Sequence, residues 1–212
     1  MTTRCLVFCG LVLLGAANLD AQSHTPISAK MRLTTEISVD GRIEKTHTQE
    51  GDFYVASNGS ETQQWTMRDG KETTGEMRWA GLTDTAHNTA YKVDYQNRLA
   101  YEQPLSRNAA PAASSKAPAS KNLSQDSVEG YPCVRYPARL ILPGKPPTVI
   151  GYSCRSESYD GLELKRETTN VNSSGRTVHS TFELYEIRPG VEPDAKLFDL
   201  SNFTVHKPTP KN

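Results

Sequence analysis

The feature that most constrains the fold is the spacing of apolar residues, which recur at every second position in both halves of the chain. In the first half the alternating set is Met31, Leu33, Ile37 and Val39, and near the C-terminus it is Val178, Phe182 and Leu184. A period of two is typical of a β-strand that buries one face. No stretch keeps an apolar face at helical spacing for more than about two turns. The pattern therefore predicts a mainly β fold with little helix.

Dipeptides typical of tight turns separate the predicted strands. They are Asp40-Gly41, Asn58-Gly59, Asp69-Gly70, Pro143-Gly144, Asp160-Gly161 and Ser174-Gly175, and Gly81 is a further turn signal. Asp-Gly and Asn-Gly are strong signals for two-residue hairpins. The strands predicted between them cover residues 31–39, 52–56, 63–68, 75–80, 89–94, 134–142, 148–155, 162–169 and 177–187.

Short antiparallel strands with one apolar face need a second layer or closure, because a solitary flat sheet leaves that face in water. The sequence thus predicts a curved antiparallel sheet, or a half-open β-barrel. A single helical turn is expected to start at Pro193, whose fixed φ suits a first helical position, and to carry Leu197 and Phe198 inward.

Residues 1–21 are typical of a signal peptide. Arg4 supplies the positive start, and residues 5–17 form an apolar run of 13 residues that is too short to span a bilayer. Cleavage is expected after Ala21, with Ala17 as the alternative. A lipid-modified Cys9 is disfavoured because Phe8, before it, is bulky. The mature chain is predicted to be exported, periplasmic or secreted, as a single β-rich domain of residues 22–212.

A segment at residues 104–125 interrupts this domain, since 14 of its 22 residues are Ala, Ser or Pro. Such a composition predicts a flexible, exposed insertion between the two β-rich halves.

Cys133 and Cys154 are the cysteines that the mature chain keeps, and export makes them a candidate disulfide. Two strand registers are open. A two-residue turn at Pro143-Gly144 places Cys133 directly opposite Cys154. A longer loop, residues 143–147, matches the apolar sets better but directs the two thiols to opposite faces. Those apolar sets are Tyr136, Ala138, Leu140 and Leu142 on one strand, and Ile150, Tyr152 and Cys154 on the other.

Charge and motifs argue against several classes of function. The mature chain has 23 basic and 23 acidic residues, so it lacks the basic footprint expected of a nucleic-acid-binding protein. After the leader no apolar stretch has membrane-spanning length. The histidines are scattered, and the common nucleophile, zinc and phosphate-loop motifs are absent from the sequence, so no catalytic residue, metal or cofactor is assigned.

One acidic cluster, Glu157, Asp160 and Glu163, has two interpretations. Two carboxylates can hydrolyse glycosides when the fold sets their separation. The alternative is a solvated turn, which Asp160-Gly161 favours.

Four segments carry a resemblance to a known family, and the last of them is the most specific. They are residues 26–29 (PISA), 39–43 (VDGRI), 91–98 (YKVDYQNR) and 182–198, which runs from FELYEI to EPDAKLF. Together they make most of residues 26–205 resemble a family of short exported proteins of unknown function that is common in acidobacterial soil bacteria. The ending also resembles, more weakly, the outer-membrane lipoprotein carrier (LolA/LppX-like) superfamily. That resemblance implies an unclosed β-barrel around a hydrophobic cavity. Those carriers plug the barrel with helices, for which this chain offers only the turn near Pro193.

These observations predict a non-catalytic exported protein that holds a lipid or other apolar ligand on the concave face of its sheet. The candidates for lining the cavity are Trp65, Trp79, Leu140, Ile150, Tyr152, Phe182 and Leu184. The alternative is a structural protein of the cell envelope that adds a partner's strand to an exposed sheet edge. A hydrolase with dispersed catalytic residues is the third hypothesis.

Overall fold

The computed structural model describes residues 24–66, 79–85, 87–104, 123–141, 144 and 146–208. The predicted signal peptide, the turn at Asp69-Gly70 and residues 105–122 of the Ala/Ser/Pro-rich segment lie outside the described residues. The described ranges form one sheet of 12 strands, which confirms the predicted mainly β class. Within them no helix has the length and apolar character needed to cross a membrane.

The strands follow the chain in two groups, one on either side of the Ala/Ser/Pro-rich segment. The first group is β1 (Ile27–Val39), β2 (Arg42–Val55), β3 (Glu61–Thr66), β4 (Trp79–Asp84), β5 (Thr89–Asp94) and β6 (Leu99–Pro104). The second is β7 (Gln125–Val128), β8 (Tyr131–Leu140), β9 (Thr148–Ser156), β10 (Leu162–Val171), β11 (Thr177–Pro189) and β12 (Thr204–His206). Short 3₁₀ turns are Glu157–Tyr159 and Ala195–Phe198.

The order across the sheet is β12-β6-β5-β4-β3-β2-β1-β11-β10-β9-β8-β7. Neighbouring strands are antiparallel, except that β12 runs parallel to β6. The long strands β1 and β11 pair at the centre and so join the N-terminal half of the sheet to the C-terminal half. β7 and β12 are the two edges, so the sheet is unclosed, as predicted.

Contacts between distant strands show that the sheet is strongly curved. Trp65 on β3 and Phe182 on β11 are separated by β2 and β1, which in a flat sheet is about 14 Å at ~4.8 Å per strand. Their ring centroids are 6.4 Å apart. On the other side of the centre, the Tyr131 hydroxyl of β8 donates to the Ile187 carbonyl of β11 at 3.0 Å. Both contacts require the sheet to curl around a concave face.

The main core lies at the centre of the curled sheet and joins strands from both groups. Its members are buried side chains from β1, β2, β3, β8, β9, β10 and β11, namely Ile27, Ala29, Met31, Phe53, Trp65, Cys133, Cys154, Leu164, Phe182, Leu184 and Ile187. Trp79 stacks on Trp65 with ring centroids 5.8 Å apart. The core thus holds together the two halves of the chain.

A second apolar cluster lies on the opposite, outer face of β4, β5 and β6. Ala80 follows Trp79 in β4 and points away from it, because successive strand residues alternate between faces. Ala80 packs with Leu82, Val93 and Ala100, and the cluster is covered by Phe198, Leu200 and Phe203 from the C-terminal segment.

The helical turn that the sequence predicts at Pro193 is a 3₁₀ turn that starts at Ala195. The Asp194 side chain accepts a hydrogen bond from the Lys196 amide and so caps the start of this turn.

Most of the described turn signals are confirmed, and two are wrong. Asp40 and Gly41 have φ of 48° and 77° and close the β1–β2 hairpin, where two positive φ values match the twist of the strands. Gly81, predicted as a turn, lies inside β4 and pairs with Gln63 and Lys92. Strands β6, β7 and β12 were not predicted.

The β8–β9 hairpin contradicts both predicted registers. Its last pair is Leu140 with Thr148, which leaves seven residues between the two strands and excludes the predicted two-residue connection. Tyr136 lies opposite Ser153, which puts Tyr152 and Cys154 on the other face and overturns the apolar register. A register shift between Ala138 and Arg139 produces this result, because it moves β9 by one residue relative to β8.

Cys133 and Cys154 nevertheless form a disulfide, with Cα atoms 5.5 Å apart. Cys154 lies directly opposite Arg135, two positions from Cys133. Residues two apart in a strand share a face, so the bond is a diagonal one on the same side of the hairpin. Both cysteines are buried in the main core.

Candidate functional site

A solvent-open cavity of about 560 Å³ occupies the concave face between β1, β11, β10, β9 and β8, and we call it the concave cleft. Its apolar lining is Leu33, Pro137, Ala138, Ile150 and Phe182. Its polar and charged lining is Tyr136, Arg139, Ser153, Arg155, Glu163, Arg166, Thr168 and Ser180. The cleft therefore has both an apolar and a cationic part.

Strand register places these residues in rows. Leu33 lies opposite Phe182, Phe182 opposite Arg166, Arg166 opposite Ser153, and Ser153 opposite Tyr136. This row crosses five strands and changes from apolar at β1 and β11 to charged and polar at β10 and β9. The guanidinium carbon of Arg166 is 5.8 Å from the Phe182 ring centroid, at the border between the two parts. The cleft floor is amphipathic along one direction.

Glu163 collects the polar groups at this border. Its Oε2 accepts a hydrogen bond from the Ser153 hydroxyl at 2.6 Å, and its Oε1 lies 3.3 Å from Nη1 of Arg166. Nη2 of Arg155 is 3.9 Å from Oε2, and Nε of Arg155 donates to the Ser153 hydroxyl at 3.2 Å. One carboxylate thus holds two guanidinium groups beside the cleft.

A β-bulge explains how Glu163 and Arg166 reach the same side. Residues three apart in a regular strand point to opposite faces. The β9–β10 register shifts between Glu163 and Lys165, so the alternation of β10 changes by one residue there. Strict alternation could therefore predict Arg166 on the face of Leu164, but it could not place Glu163 in the cleft.

Glu61 is a second carboxylate on the concave face, on β3. It lies in register with Val55 of β2, and its Oε1 accepts a hydrogen bond from Nε2 of Gln63 at 2.9 Å. Burial raises the pKa of the Glu61 carboxyl, the hydrogen bond from Gln63 opposes this effect in part, and the Glu163 carboxylate adds to the increase. Because β10 is four strands away from β3, this interaction also reflects the curl of the sheet.

The Glu61→Gln variant is expected to melt at a higher temperature than the wild type at pH 7. The folded-state pKa of Glu61 lies above its unfolded-state value, so the wild type loses stability as pH rises through the folded-state pKa. Glutamine carries no such penalty. The difference should shrink as pH falls below about 4.3, the ordinary glutamate pKa. Thermal unfolding between pH 3.5 and pH 8 measures it, with exposed Glu157→Gln as the control. A pH-independent difference would contradict the expectation.

The structure places the cavity-lining candidates in three different settings. Ile150 and Phe182 line the cleft. Trp65 and Leu184 are buried in the main core, with Trp79 partly buried against it. Tyr152 lies on the face opposite the cleft, where its ring centroid is 4.0 Å from the guanidinium carbon of Arg135. Leu140 is half-buried opposite Thr148. The cationic lining residues Arg139, Arg155 and Arg166 were missed, because apolar periodicity selects only apolar positions.

The acidic cluster of the sequence is divided between two environments. Glu157 is exposed in the 3₁₀ turn, and Asp160 Oδ2 is 2.9 Å from Nδ1 of His24. Glu163 instead points into the concave cleft. Across the part of the chain that the structure describes, no group of three or more His, Cys, Asp or Glu side chains is placed to hold a metal ion.

The two sheet edges are short. β7 has four residues and β12 has three. Short edge strands are one way in which sheets avoid pairing with other chains. The geometry therefore gives more support to a ligand in the cleft than to a partner's strand at an edge.

Comparison with known proteins finds solved structures with a low overall similarity to this chain, among them the following two. A LolA superfamily protein from Nitrosomonas europaea has 12% identity and a TM-score of 0.35, with 81% of this chain and 90% of that chain covered. A DUF1329 family protein from Desulfovibrio piger has 8% identity and a TM-score of 0.22, with 87% and 93% covered. No family model and no curated protein matches the chain, so the acidobacterial-type resemblance stays a prediction.

Proposed function

We propose that this protein is an exported binding protein that holds a lipid or other apolar ligand in the concave cleft. The observation that carries the proposal is the cleft itself, which lies on the inner face of an unclosed sheet and has an apolar wall. Its volume of about 560 Å³ is within the roughly 300–1,000 Å³ that small-molecule sites occupy. A curved sheet with a free concave face gives such a ligand a place to bury its apolar surface.

The polar groups of the cleft suit binding better than catalysis. The Glu163 carboxylate already accepts a hydrogen bond from Ser153 and pairs with Arg166, so both of its oxygens have partners within the protein. Neither a histidine nor a cysteine is found among the described residues that line the cleft. Export is supported by the leader sequence and by the buried disulfide, since such bonds persist in oxidising compartments.

Binding can be tested on the purified mature protein with N-phenyl-1-naphthylamine, an uncharged dye whose fluorescence rises in apolar surroundings. We expect saturable enhancement at a stoichiometry near one, and co-purified lipid in native mass spectra after gentle extraction. Protein that contains no lipid and leaves the dye fluorescence unchanged would overturn the proposal.

The Ile150→Gln variant is expected to bind the dye about tenfold more weakly than the wild type. Ile150 lines the cleft, and the loss of about half of a buried isoleucine's apolar contact corresponds to about 1.4 kcal/mol. Fluorescence titration measures the Kd.

The matched control for that change is Val149→Gln, because Val149 precedes Ile150 in β9 and is 58% exposed. We expect its Kd to stay within about twofold of the wild type. Equal losses in the two variants would place the dye outside the concave cleft.

A further inference from the structure

The concave cleft carries more positive than negative charge. Three arginines, Arg139, Arg155 and Arg166, line it, and we call them the arginine group. Glu163 is the acidic residue among the described residues of the lining. The mature chain as a whole is neutral, so this surplus of cations is local. Positive charges held together at a cleft raise the local concentration of anions.

The arginine group keeps donors free for a ligand. Each guanidinium has five N–H donors. Arg166 has Nη1 at 3.3 Å from Glu163, and Arg155 uses Nε on Ser153 and has Nη2 at 3.9 Å from Glu163. Arg139 is exposed and has no ion pair with any residue that the structure describes. A planar guanidinium with unused donors matches the oxygens of a carboxylate or a phosphate.

The position of these donors relative to the apolar wall selects the shape of the ligand. Arg166 lies directly opposite Phe182, and Phe182 lies opposite Leu33. A molecule in the cleft that contacts Leu33 and Phe182 with an apolar chain therefore has its other end beside Arg166. An anion at that end would neutralise the charge that Glu163 leaves uncompensated.

We infer that the ligand of the concave cleft is an anionic amphiphile, with a carboxylate or phosphate bound by the arginine group. Its apolar chain lies along Leu33, Phe182 and Ile150. The inference rests on the proposed function and narrows it to one class of ligand.

Four probes separate the possible outcomes in a dye-displacement titration of the mature protein. Dodecanoate and dodecyl phosphate carry an anion on a twelve-carbon chain, 1-dodecanol has the same chain without charge, and inorganic phosphate has the charge without the chain. We expect both anionic amphiphiles to bind at least tenfold more tightly than 1-dodecanol, and phosphate alone to bind hardly at all. Their relative affinities identify the preferred headgroup.

Two substitutions at the arginine group should act in opposite directions. Arg166→Gln is expected to weaken dodecanoate binding about tenfold, since it removes one charge-assisted contact. Glu163→Gln is expected to strengthen it about fivefold, since it removes the one opposing charge. The ratio of dodecanoate affinity to 1-dodecanol affinity should therefore fall in Arg166→Gln and rise in Glu163→Gln.

Arg176→Gln is the matched control for Arg166→Gln. Both side chains are 49% exposed and both have Nη1 near a glutamate, but Arg176 pairs with Glu44, and neither of these residues is in the lining of the cleft. Its dodecanoate affinity should match the wild type.

Equal affinity for dodecanoate and 1-dodecanol would overturn the anionic preference and leave the apolar-ligand proposal intact. An equal loss of dodecanoate affinity in Arg166→Gln and Arg176→Gln would have the same consequence. If none of the three amphiphiles displaces the dye, the proposed function itself is wrong. Phosphate that binds as tightly as dodecanoate would show that the apolar wall is not part of the site, which also overturns the inference.

Discussion

Replacing Cys133 and Cys154 together by alanine is expected to lower the free energy of unfolding by about 3 kcal/mol. The disulfide joins residues 21 apart, and opening this loop returns conformational freedom to the unfolded chain. Alanine is chosen over serine because the two positions are only 3% and 0% exposed, and serine would bury a hydroxyl group at each. For a chain of this length the loss corresponds to about 6–12 °C in Tm. Thermal and urea unfolding of the mature protein measure it.

Thiol chemistry supplies the control for the cysteine prediction. The wild-type mature chain, denatured without reductant, should show no free thiol, and its Tm in the presence of dithiothreitol should fall toward that of the double variant. A double variant that melts within about 2 °C of the oxidised wild type would show that the bond adds little stability. Two free thiols per mature chain would show that the bond does not form.

In the β8–β9 hairpin the disulfide between Cys133 and Cys154 was predictable from the sequence, whereas the pairing register of the two strands was not. The bond was expected because the chain is predicted to be exported, and the two cysteines that follow the predicted leader would tend to pair in an oxidising compartment. The register depends on loop length and on a local shift between Ala138 and Arg139. Apolar alternation could not determine it, because Tyr152 packs against Arg135 on the outer face. An aromatic ring covered by a guanidinium is as well placed outside as inside.

The strands themselves follow from the sequence, because period-two alternation and turn dipeptides are local signals. Asp40-Gly41 predicts its hairpin correctly, since both residues adopt positive φ there. β12 was missed because its three residues pair with β6, about a hundred residues earlier in the chain. That pairing depends on the outer-face cluster, which brings Phe198 and Phe203 against β4, β5 and β6. Local patterns carry no information about such a long-range contact.

The candidate site was predictable as a concave face but not as a charged cleft. Phe182 and Ile150 were identified by their apolar character. Arg166 is two residues after Leu164, so alternation alone could have placed it on the same face as Leu164. An arginine in a strand is ordinarily assigned to the solvent face instead. Glu163 reaches the cleft only through the β-bulge in β10. The chemistry of the cleft therefore depends on an irregularity that apolar periodicity does not reveal.

Gly151→Ala is expected to lower the free energy of unfolding by about 3 kcal/mol. Gly151 lies in β9, between Ala138 of β8 and Thr168 of β10. An added Cβ would overlap the backbone oxygen of Glu167 and lie 2.9 Å from Cα of Thr168. Backbone atoms of a paired strand cannot turn aside as a side chain can, so β9 and β10 would have to separate. Overpacking of this kind costs about 1–3 kcal/mol, and the weakened strand pairing adds to it.

Gly81→Ala is the matched control, because Gly81 also lies inside a strand of the same sheet but has nothing within 4 Å of an added Cβ. Alanine there should stabilise the protein by about 0.5 kcal/mol, since glycine loses more conformational freedom on folding. Urea unfolding of both variants gives the difference, and a Gly151→Ala protein as stable as Gly81→Ala would refute the close approach of β9 to β10. The two strands also carry Ser153, Glu163 and Arg166, so their separation should weaken dye binding in Gly151→Ala and leave it unchanged in Gly81→Ala. That joint loss of stability and binding is what a cleft built directly on the β9–β10 pairing requires.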